Sequence, residues 1–377
     1  MAQVGPLQWD STRVQLPSGA ANVVNIDAGN ASGAIMISGR AFVNAANDLF
    51  GGVQTTRWNR SRLIRIGGHT PTSLRLQCQG IPGGAGVIGV SVNGATPTVV
   101  NVVNTDAVPR WYIVNGLPTG AKTIDIYDDF QDRGAPLNSG TDGPALGTYC
   151  LAVELYGGAI TKLTASTIIV AFGDSHIDGQ ATAPISYNGW GAQLRRRALA
   201  AGMAFGYAGA GSSTLVGDGL SATDVATEIN DLRVQAGAMN LIFLMCRRPN
   251  DWPDIYYGHT LTTSATTYGT FVQNVQTNLD GLAPGWKGVY TRIPQGTGWG
   301  ANAGGFTRND YWNATVAAST ANGRTNVRTF DGDVVFVAAG LSLSNPAHFF
   351  EASPNQVHLA QPGHDIVASV TFPWFGL

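Results

Sequence analysis

Charged residues are scarce in this sequence, and neither sign dominates. Asp, Glu, Lys and Arg make up 12% of the 377 residues, with 24 acidic against 22 basic side chains. The longest basic run is only Arg195-Arg196-Arg197. Proteins that bind nucleic acid electrostatically carry a clear basic patch. The composition therefore gives no indication of a nucleic-acid partner and fits a neutral or sugar-like one.

Cysteine is also rare. Cys78, Cys150 and Cys246 are odd in number and widely spaced. This pattern predicts neither a disulfide scaffold nor a zinc site, and we expect no metal and no cofactor. A single bridge between Cys78 and Cys150 stays open.

Long apolar runs are missing as well. No window approaches the roughly 18 apolar residues of a membrane span, so no membrane partner is expected. The opening residues MAQVGPLQWD lack the basic start and apolar centre of a signal peptide. Secretion is thus not indicated by the sequence, although a processed mature form stays open. No feature indicates an oligomeric state.

Glycine, by contrast, is abundant, with 49 copies, which suits short strands and many turns. The length accommodates two domains that each bury a core. From Ala21 to about Gly158, apolar and polar residues alternate in short runs, as in Leu74, Leu76 and Cys78. Ile124 and Ile126 likewise alternate with Asp125 and Tyr127 on the other side of the pleat, which is the period of a half-buried strand. We predict an all-β sandwich for residues 1–160.

The pattern changes after Thr161, where strand-like runs alternate with longer segments of helical composition. The last of the strand-like runs is NVRTFDGDVVFV, residues 326–337. Five such alternations predict an α/β domain over residues 161–377, with a parallel sheet covered by helices on both faces. In such sheets, ligands bind at the carboxyl ends of the strands.

Ser175 follows the first strand of this domain directly, in the stretch TIIVAFGDSHIDG. Its hydroxyl and amide groups would then face the ligand crevice, although a turn serine that caps a helix is the plain alternative. The second strand ends near Gly209 and Gly211, either of which could expose an amide donor. Asn250 follows the third strand, and His358 precedes the last helix as a possible base for Ser175.

These blocks, taken in order, resemble the SGNH or GDSL-type hydrolases over residues 165–377. The blocks are Gly173-Asp174-Ser175, Arg248-Pro249-Asn250-Asp251, and Asn355-Gln356-Val357-His358 followed by Gly363. The resemblance implies a three-layer α/β/α, flavodoxin-like fold in which Ser175 is the nucleophile and His358 the base. It also implies an oxyanion hole made by the Ser175 amide, the Gly211 amide, with Gly209 as the alternative, and the Asn250 side chain.

Two residues depart from the family pattern. Arg248 replaces a glycine, and Asn355 replaces the acid that orients the histidine. We expect Asn355 to accept a hydrogen bond from His358, unless a backbone carbonyl or a distant acid such as Asp333 or Glu351 does so. Substrate contacts are expected from Asp174, Arg248 and Trp252. The neighbouring residues His176, Asp178, His364 and Asp365 are interpreted as polar surface or helix-start residues.

The amino-terminal region resembles the jelly-roll that precedes the SGNH domain in carbohydrate esterase family two. The resemblance rests on NGLPTGAKTIDIYDD, residues 115–129. Members of that group lack the acid and support the histidine by a backbone carbonyl, and the resemblance favours a secreted or periplasmic location.

The expected function is that of a serine esterase, a carboxylic ester hydrolase that removes acetyl or other short acyl groups from carbohydrate. One alternative is a general short-chain or aryl esterase. Another is a non-catalytic glycan-binding surface or virion protein with a degenerate hydrolase domain.

Overall fold

A computed structural model describes the chain in segments. The described residues are 8–10, 21–25, 35–38, 63–69, 72–79, 86–103, 108–127, 149–156, 165–173, 175–178, 185–209, 221–246, 264–294, 304–349 and 358–376. All structural statements below concern these residues.

The chain divides into two compact units. The first comprises Met1–Thr164 and Ala183–Tyr187, and the second comprises Ala165–Thr182 and Asn188–Leu377.

The first unit contains two antiparallel sheets, each with five strands among the described residues. The strands are β1 (Gln8–Asp10), β2 (Ala21–Asn25), β3 (Ile35–Ser38), β4 (Leu63–His69), β5 (Leu74–Gln79), β6 (Val87–Val92), β7 (Thr98–Asn101), β8 (Arg110–Val114), β9 (Lys122–Tyr127) and β10 (Tyr149–Tyr156). The strand order is β1-β8-β5-β10-β2 in one sheet and β3-β4-β9-β6-β7 in the other.

One core joins these two sheets. Leu74 and Leu76 of β5 are fully buried together with Ile124 and Ile126 of β9, which belongs to the other sheet. Apolar side chains at every second position point to one face, which explains the burial. The predicted all-β sandwich is confirmed.

Strand β9 is buried more completely than alternation predicts. Asp125 and Tyr127, the expected outward residues, are each 1% exposed. Tyr127 packs edge to face against Tyr187, with the ring centroids 5.5 Å apart, and this contact covers part of the outward face of the strand. The expectation of a half-buried strand is therefore wrong for β9.

Cys78 and Cys150 lie directly opposite each other on β5 and β10. Both side chains are fully buried. The bridge that the sequence left open is not formed between these two residues in this structure.

The second unit is built on a parallel sheet. Its strands are β11 (Thr167–Gly173), β12 (Ala204–Gly209), β13 (Asn240–Met245), β14 (Lys287–Thr291) and β15 (Val327–Phe330). Their order in the sheet is β12-β11-β13-β14-β15. Counted within the unit, this is the 2-1-3-4-5 order of flavodoxin-like folds.

The α-helices among the described residues are α1 (Ser175–Asp178), α2 (Ile185–Asn188), α3 (Trp190–Ala200), α4 (Ala222–Gln235), α5 (Ala265–Leu282), α6 (Arg308–Thr320), α7 (Gly332–Ala338) and α8 (Gln361–Thr371). Several of them are capped by a polar residue at the amino end. Ser221 and Ser264 accept from backbone N–H groups at the starts of α4 and α5, and Thr307 forms a capping box with Asp310 at the start of α6.

The core of this unit lies on the central strands. Strands β11 and β13 are buried along almost their whole length, because helices cover both faces of a parallel sheet. The predicted α/β fold with a parallel sheet is confirmed. Among the described residues, no helix has the length and apolar character needed to cross a bilayer.

Helix α7 departs from the prediction. The run DGDVVFV reads as a continuation of a strand because it is rich in valine, yet it forms a helix after β15. Asp331 caps this helix by accepting from the backbone N–H of Asp333. Phe336 is fully buried, so the cap and the packing of this ring outweigh the strand propensity of the valines.

Candidate active site

The carboxyl end of β11 leads directly to Ser175. β11 ends at Gly173, and Ser175 is the first residue of α1. β11 lies between β12 and β13, at the point where the order of the sheet reverses. Such a switch point is where open α/β sheets bind ligands. Ser175, the predicted nucleophile, therefore lies at the edge of the sheet where ligands are expected.

Gly173 makes a close approach possible between α1 and β13. A Cβ atom on Gly173 would lie 2.5 Å from Cγ2 of Ile177 and 3.0 Å from Sγ of Cys246. A side chain here would push α1 away from the end of β13. The glycine of the Gly-Asp-Ser block is thus required by packing.

His358 lies in the loop before α8, and its ring stacks on His176. The ring centroids are 5.3 Å apart and the planes are inclined by 28°. His176 is 2% exposed and His358 is 8% exposed. Since His176 follows Ser175 directly in α1, the stack brings the predicted base to the helix that carries the predicted nucleophile.

The backbone after His358 is fixed by several contacts. Leu359 is fully buried and forms an isolated antiparallel bridge with Phe349. The next residue, Ala360, donates its N–H to the carbonyl of His348 at 2.9 Å. A Cβ atom on Gly363 would lie 2.7 Å from the same carbonyl oxygen. The motif glycine five residues after His358 therefore allows α8 to pack against this segment.

Helix α8 is locked to α3 by two polar contacts. The backbone N–H of Trp190 donates to Nδ1 of His364 at 3.1 Å. Asp365 accepts from the side chains of Gln193 and Gln361, each at 2.7 Å. His364 is fully buried and His176 nearly so. Both histidines lie in the first turn of a helix, as one part of the interpretation expected. The other part, that they are polar surface residues, is wrong, because packing between elements encloses both rings.

Asp333, one alternative partner for His358, is engaged elsewhere. Its carboxylate pairs with Arg308 and, at 3.2 Å, with Arg292. Arg292 also donates to both oxygens of Asp331 at 2.7 Å. Burial alone would raise the pKa of Asp331, but the hydrogen bonds and charge of Arg292, together with the backbone N–H of Asp333 and the charge of Arg308, hold this pKa below its ordinary value.

The remaining predicted site residues lie outside the described part of the chain. They are Asp174, Gly211, Arg248, Asn250, Trp252 and Asn355, together with the alternative acid Glu351. Gly209, the alternative oxyanion donor, ends β12 opposite Gly173. The structure thus brings His358 onto His176, the neighbour of Ser175 in α1, and the catalytic roles of all these residues stay predictions.

A cavity of about 580 Å³ lies at the opposite edge of the sheet. It is lined by residues that precede or begin β14 and β15, including Lys287, Arg324 and Arg328, and by Trp374. These are the amino ends of the strands. The cavity is therefore separate from the edge that carries Ser175.

No protein-family model matches the chain, and no curated protein matches it significantly in sequence. Solved structures do match it in fold. The salicylyl-acyltransferase SsfX3 from a tetracycline biosynthetic pathway superposes with a TM-score of 0.63 at 16% identity, over 94% of this chain and 96% of that one.

Two carbohydrate esterases also match this chain in fold. A family two carbohydrate esterase from Cellvibrio japonicus gives a TM-score of 0.56 at 13% identity, over 94% of this chain and 97% of that one. The acetyl xylan esterase Est2A from the rumen bacterium Butyrivibrio proteoclasticus gives 0.55 at 11% identity, over 95% and 98%.

This chain has the fold of the SGNH-type family two carbohydrate esterases. Because each match covers nearly the whole chain, the likeness extends over both units. The predicted resemblance is confirmed at the level of the fold.

Proposed function

We propose that this protein is an ester-acting enzyme of the SGNH type that uses Ser175 as nucleophile and His358 as general base. One observation carries the proposal: the ring of His358 stacks on the residue next to Ser175. The two groups are 183 positions apart in the printed numbering (358 − 175). A loop histidine enclosed at this helix supports the assignment of His358 as the base of a serine nucleophile.

The proposed reaction proceeds through an acyl-enzyme. The Ser175 hydroxyl attacks the ester carbonyl while His358 takes its proton. The amides of Ser175 and Gly211 and the side chain of Asn250 stabilise the oxyanion, with Gly209 as the alternative amide donor. The C–O bond to the alcohol then breaks, and His358 returns the proton to the departing oxygen. Water, activated by His358, releases the acid and restores Ser175.

The proposed substrate is an acetyl or short acyl ester on a carbohydrate. The likeness to family two carbohydrate esterases over both units supports this choice. Asp174, Arg248 and Trp252, which neighbour the catalytic blocks in sequence, are the proposed substrate contacts. Arg248 would place a cation where the family pattern has glycine.

The support of His358 is the least conventional part of the proposal. Asp333 already pairs with two arginines. We therefore assign the contact with His358 to Asn355, with a backbone carbonyl or Glu351 as the alternatives. An amide oxygen can fix the tautomer of the imidazole, but it adds no charge that stabilises the imidazolium.

The decisive experiment compares the wild type with Ser175→Ala on acetylated oligosaccharides and on p-nitrophenyl acetate. We expect acetate release by the wild type, loss of turnover in Ser175→Ala, and covalent labelling of Ser175 by a fluorophosphonate. A chelator should leave the activity intact. Turnover that survives in Ser175→Ala, or that is lost to the chelator without labelling, would overturn the mechanism. Glycan binding with neither turnover nor labelling would instead favour the non-catalytic alternative.

Acyl transfer to an acceptor other than water is the second candidate. It is favoured by the likeness to an acyltransferase, which has a higher TM-score than the two esterases above. Both reactions share the acyl-enzyme and differ only in the acceptor. Adding alcohols or sugars to the p-nitrophenyl acetate assay separates the two candidates, because an acyltransferase forms the new ester in preference to acetate.

A further inference from the structure

We propose that His176 is a positioning residue for His358, and that it holds the imidazole plane of the base beside Ser175. This inference rests on the proposed function of the same site. It assigns a role to a residue that the SGNH blocks leave out, and it follows from the stacked ring pair.

The ring geometry is that of an offset aromatic contact. A centroid separation of 5.3 Å with an angle of 28° falls within the range of favourable ring pairs. Both rings are almost fully enclosed. Rotation of the His358 ring about its side-chain torsions would break this contact, so the stack restricts the orientation of the base.

His176 is itself held firmly, because α1 is clamped on two sides. On one side, Ile177 packs so closely on Gly173 that a Cβ atom there would lie 2.5 Å away. On the other, the carbonyl oxygen of Ile177 lies 2.2 Å from where a Cβ atom of Gly191 in α3 would be. Ile177 is 4% exposed. The helix that carries His176 therefore provides a fixed surface for the ring of His358.

This arrangement links nucleophile and base through one turn of helix. A general base must lie within about 2.6–3.2 Å of the proton that it removes. A displacement of 1 Å can cost about a hundredfold in rate. Ser175 and His176 are adjacent in α1. Any shift of this helix therefore moves the nucleophile together with the His176 ring on which the base stacks.

The role also fits the sequence at position 355. The SGNH pattern orients its histidine with an acid three residues earlier, where this chain has Asn355. A stacked ring can fix the plane of an imidazole without any charge. His176 would thus supply part of the orientation that the missing carboxylate supplies elsewhere.

Three variants at position 176 test the proposal by kinetics. His176→Ala removes the ring, and we expect kcat to fall by about 10- to 100-fold with KM nearly unchanged, since only the base is displaced. His176→Phe keeps a flat ring and should recover most of the kcat, whereas His176→Gln keeps polarity without the ring and should not. Trp286→Leu removes a buried ring at the amino end of β14, and this control should lower stability while leaving kcat intact.

An NMR measurement tests the stack without needing activity. The Cε1–H resonance of His358, assigned with His358→Gln, should move in His176→Ala because the ring current of His176 is lost, and it should stay unmoved in Trp286→Leu. An unmoved resonance in His176→Ala would overturn the stack. A moved resonance with unchanged kcat would overturn the positioning role. Failure of the proposed function is recognised separately, as turnover that persists in Ser175→Ala.

Discussion

The backbone N–H of Trp190 donates to Nδ1 of the fully buried His364, and this bond joins the first turn of α3 to α8. The ring accepts at Nδ1, so this nitrogen carries no proton in the structure. Since α8 follows the loop with His358, the bond stabilises the element that bounds the candidate site.

Replacement of His364 should therefore lower stability in a graded way. His364→Ala removes both the ring and the acceptor, and we expect a loss of about 2–4 kcal/mol in the free energy of unfolding. His364→Asn keeps an acceptor near the position of Nδ1 and should lose less. Denaturant unfolding of both variants measures the difference. Equal losses would show that ring volume, and not the hydrogen bond, matters at this position.

Two helical glycines should respond to alanine with opposite signs. In Gly191→Ala the new Cβ would meet the Ile177 carbonyl oxygen at 2.2 Å, a backbone atom that cannot move cheaply. We expect a loss of more than about 1 kcal/mol in stability. Gly281 of α5 has open space around its Cβ position, so Gly281→Ala should gain about 0.5–1 kcal/mol from helix propensity. Thermal unfolding distinguishes the two, and a stable Gly191→Ala would show that α1 is not clamped.

Much of this fold could be predicted because its strands are apolar and several of its helices begin after a capping residue. The stretch before Ser175 is a continuous apolar run, and β11 is buried along nearly all of it. Ser221 and Ser264 precede helical segments and cap them. Such local signals need no knowledge of the tertiary structure.

The features that the sequence does not reveal depend on long-range packing. Nothing near His176 indicates that a residue 182 positions later in the printed numbering (358 − 176) would stack on it. His364 lies in the first turn of α8 and would be solvated if α3 did not pack over it. Helix α7 is missed because its valines favour a strand, whereas the Asp331 cap and the burial of Phe336 decide otherwise.

The pair of Asp331 and Arg292 should make stability depend on pH at the acid end. The pKa of Asp331 is lowered in the folded protein, so its carboxylate stabilises the fold above its unfolded pKa of about 3.9. That contribution is lost as the pH falls through the lower folded pKa. Asn is also a good helix cap, so Asp331→Asn removes the charge and keeps the cap of α7. We expect this variant to lose about 1–2 kcal/mol at pH 7 and progressively less than that, relative to the wild type, as the pH falls below 4. A difference that stays constant with pH would contradict the assignment.

Asn250 should affect the chemical step and not substrate binding. Its proposed amide donor is directed at charge that exists only in the transition state. Asn250→Ala should thus lower kcat by about 10² to 10³ with little change in KM. Steady-state kinetics on p-nitrophenyl acetate measures both constants. A change confined to KM would make Asn250 a binding or capping residue.

Asn355 provides the sharpest test of how the base is supported. If Asn355 accepts from His358, Asn355→Ala should impair turnover, whereas Asn355→Asp should preserve or raise it, because the carboxylate keeps the acceptor and stabilises the imidazolium. The added charge should also raise the pKa of His358 and shift the acid limb of the pH profile to higher pH. Measuring kcat/KM against pH for the wild type and both variants decides between the two arrangements. If Ala and Asp both behave like the wild type, a backbone carbonyl or the distant acid Glu351 holds His358, and the stack on His176 remains as a contact that orients the base.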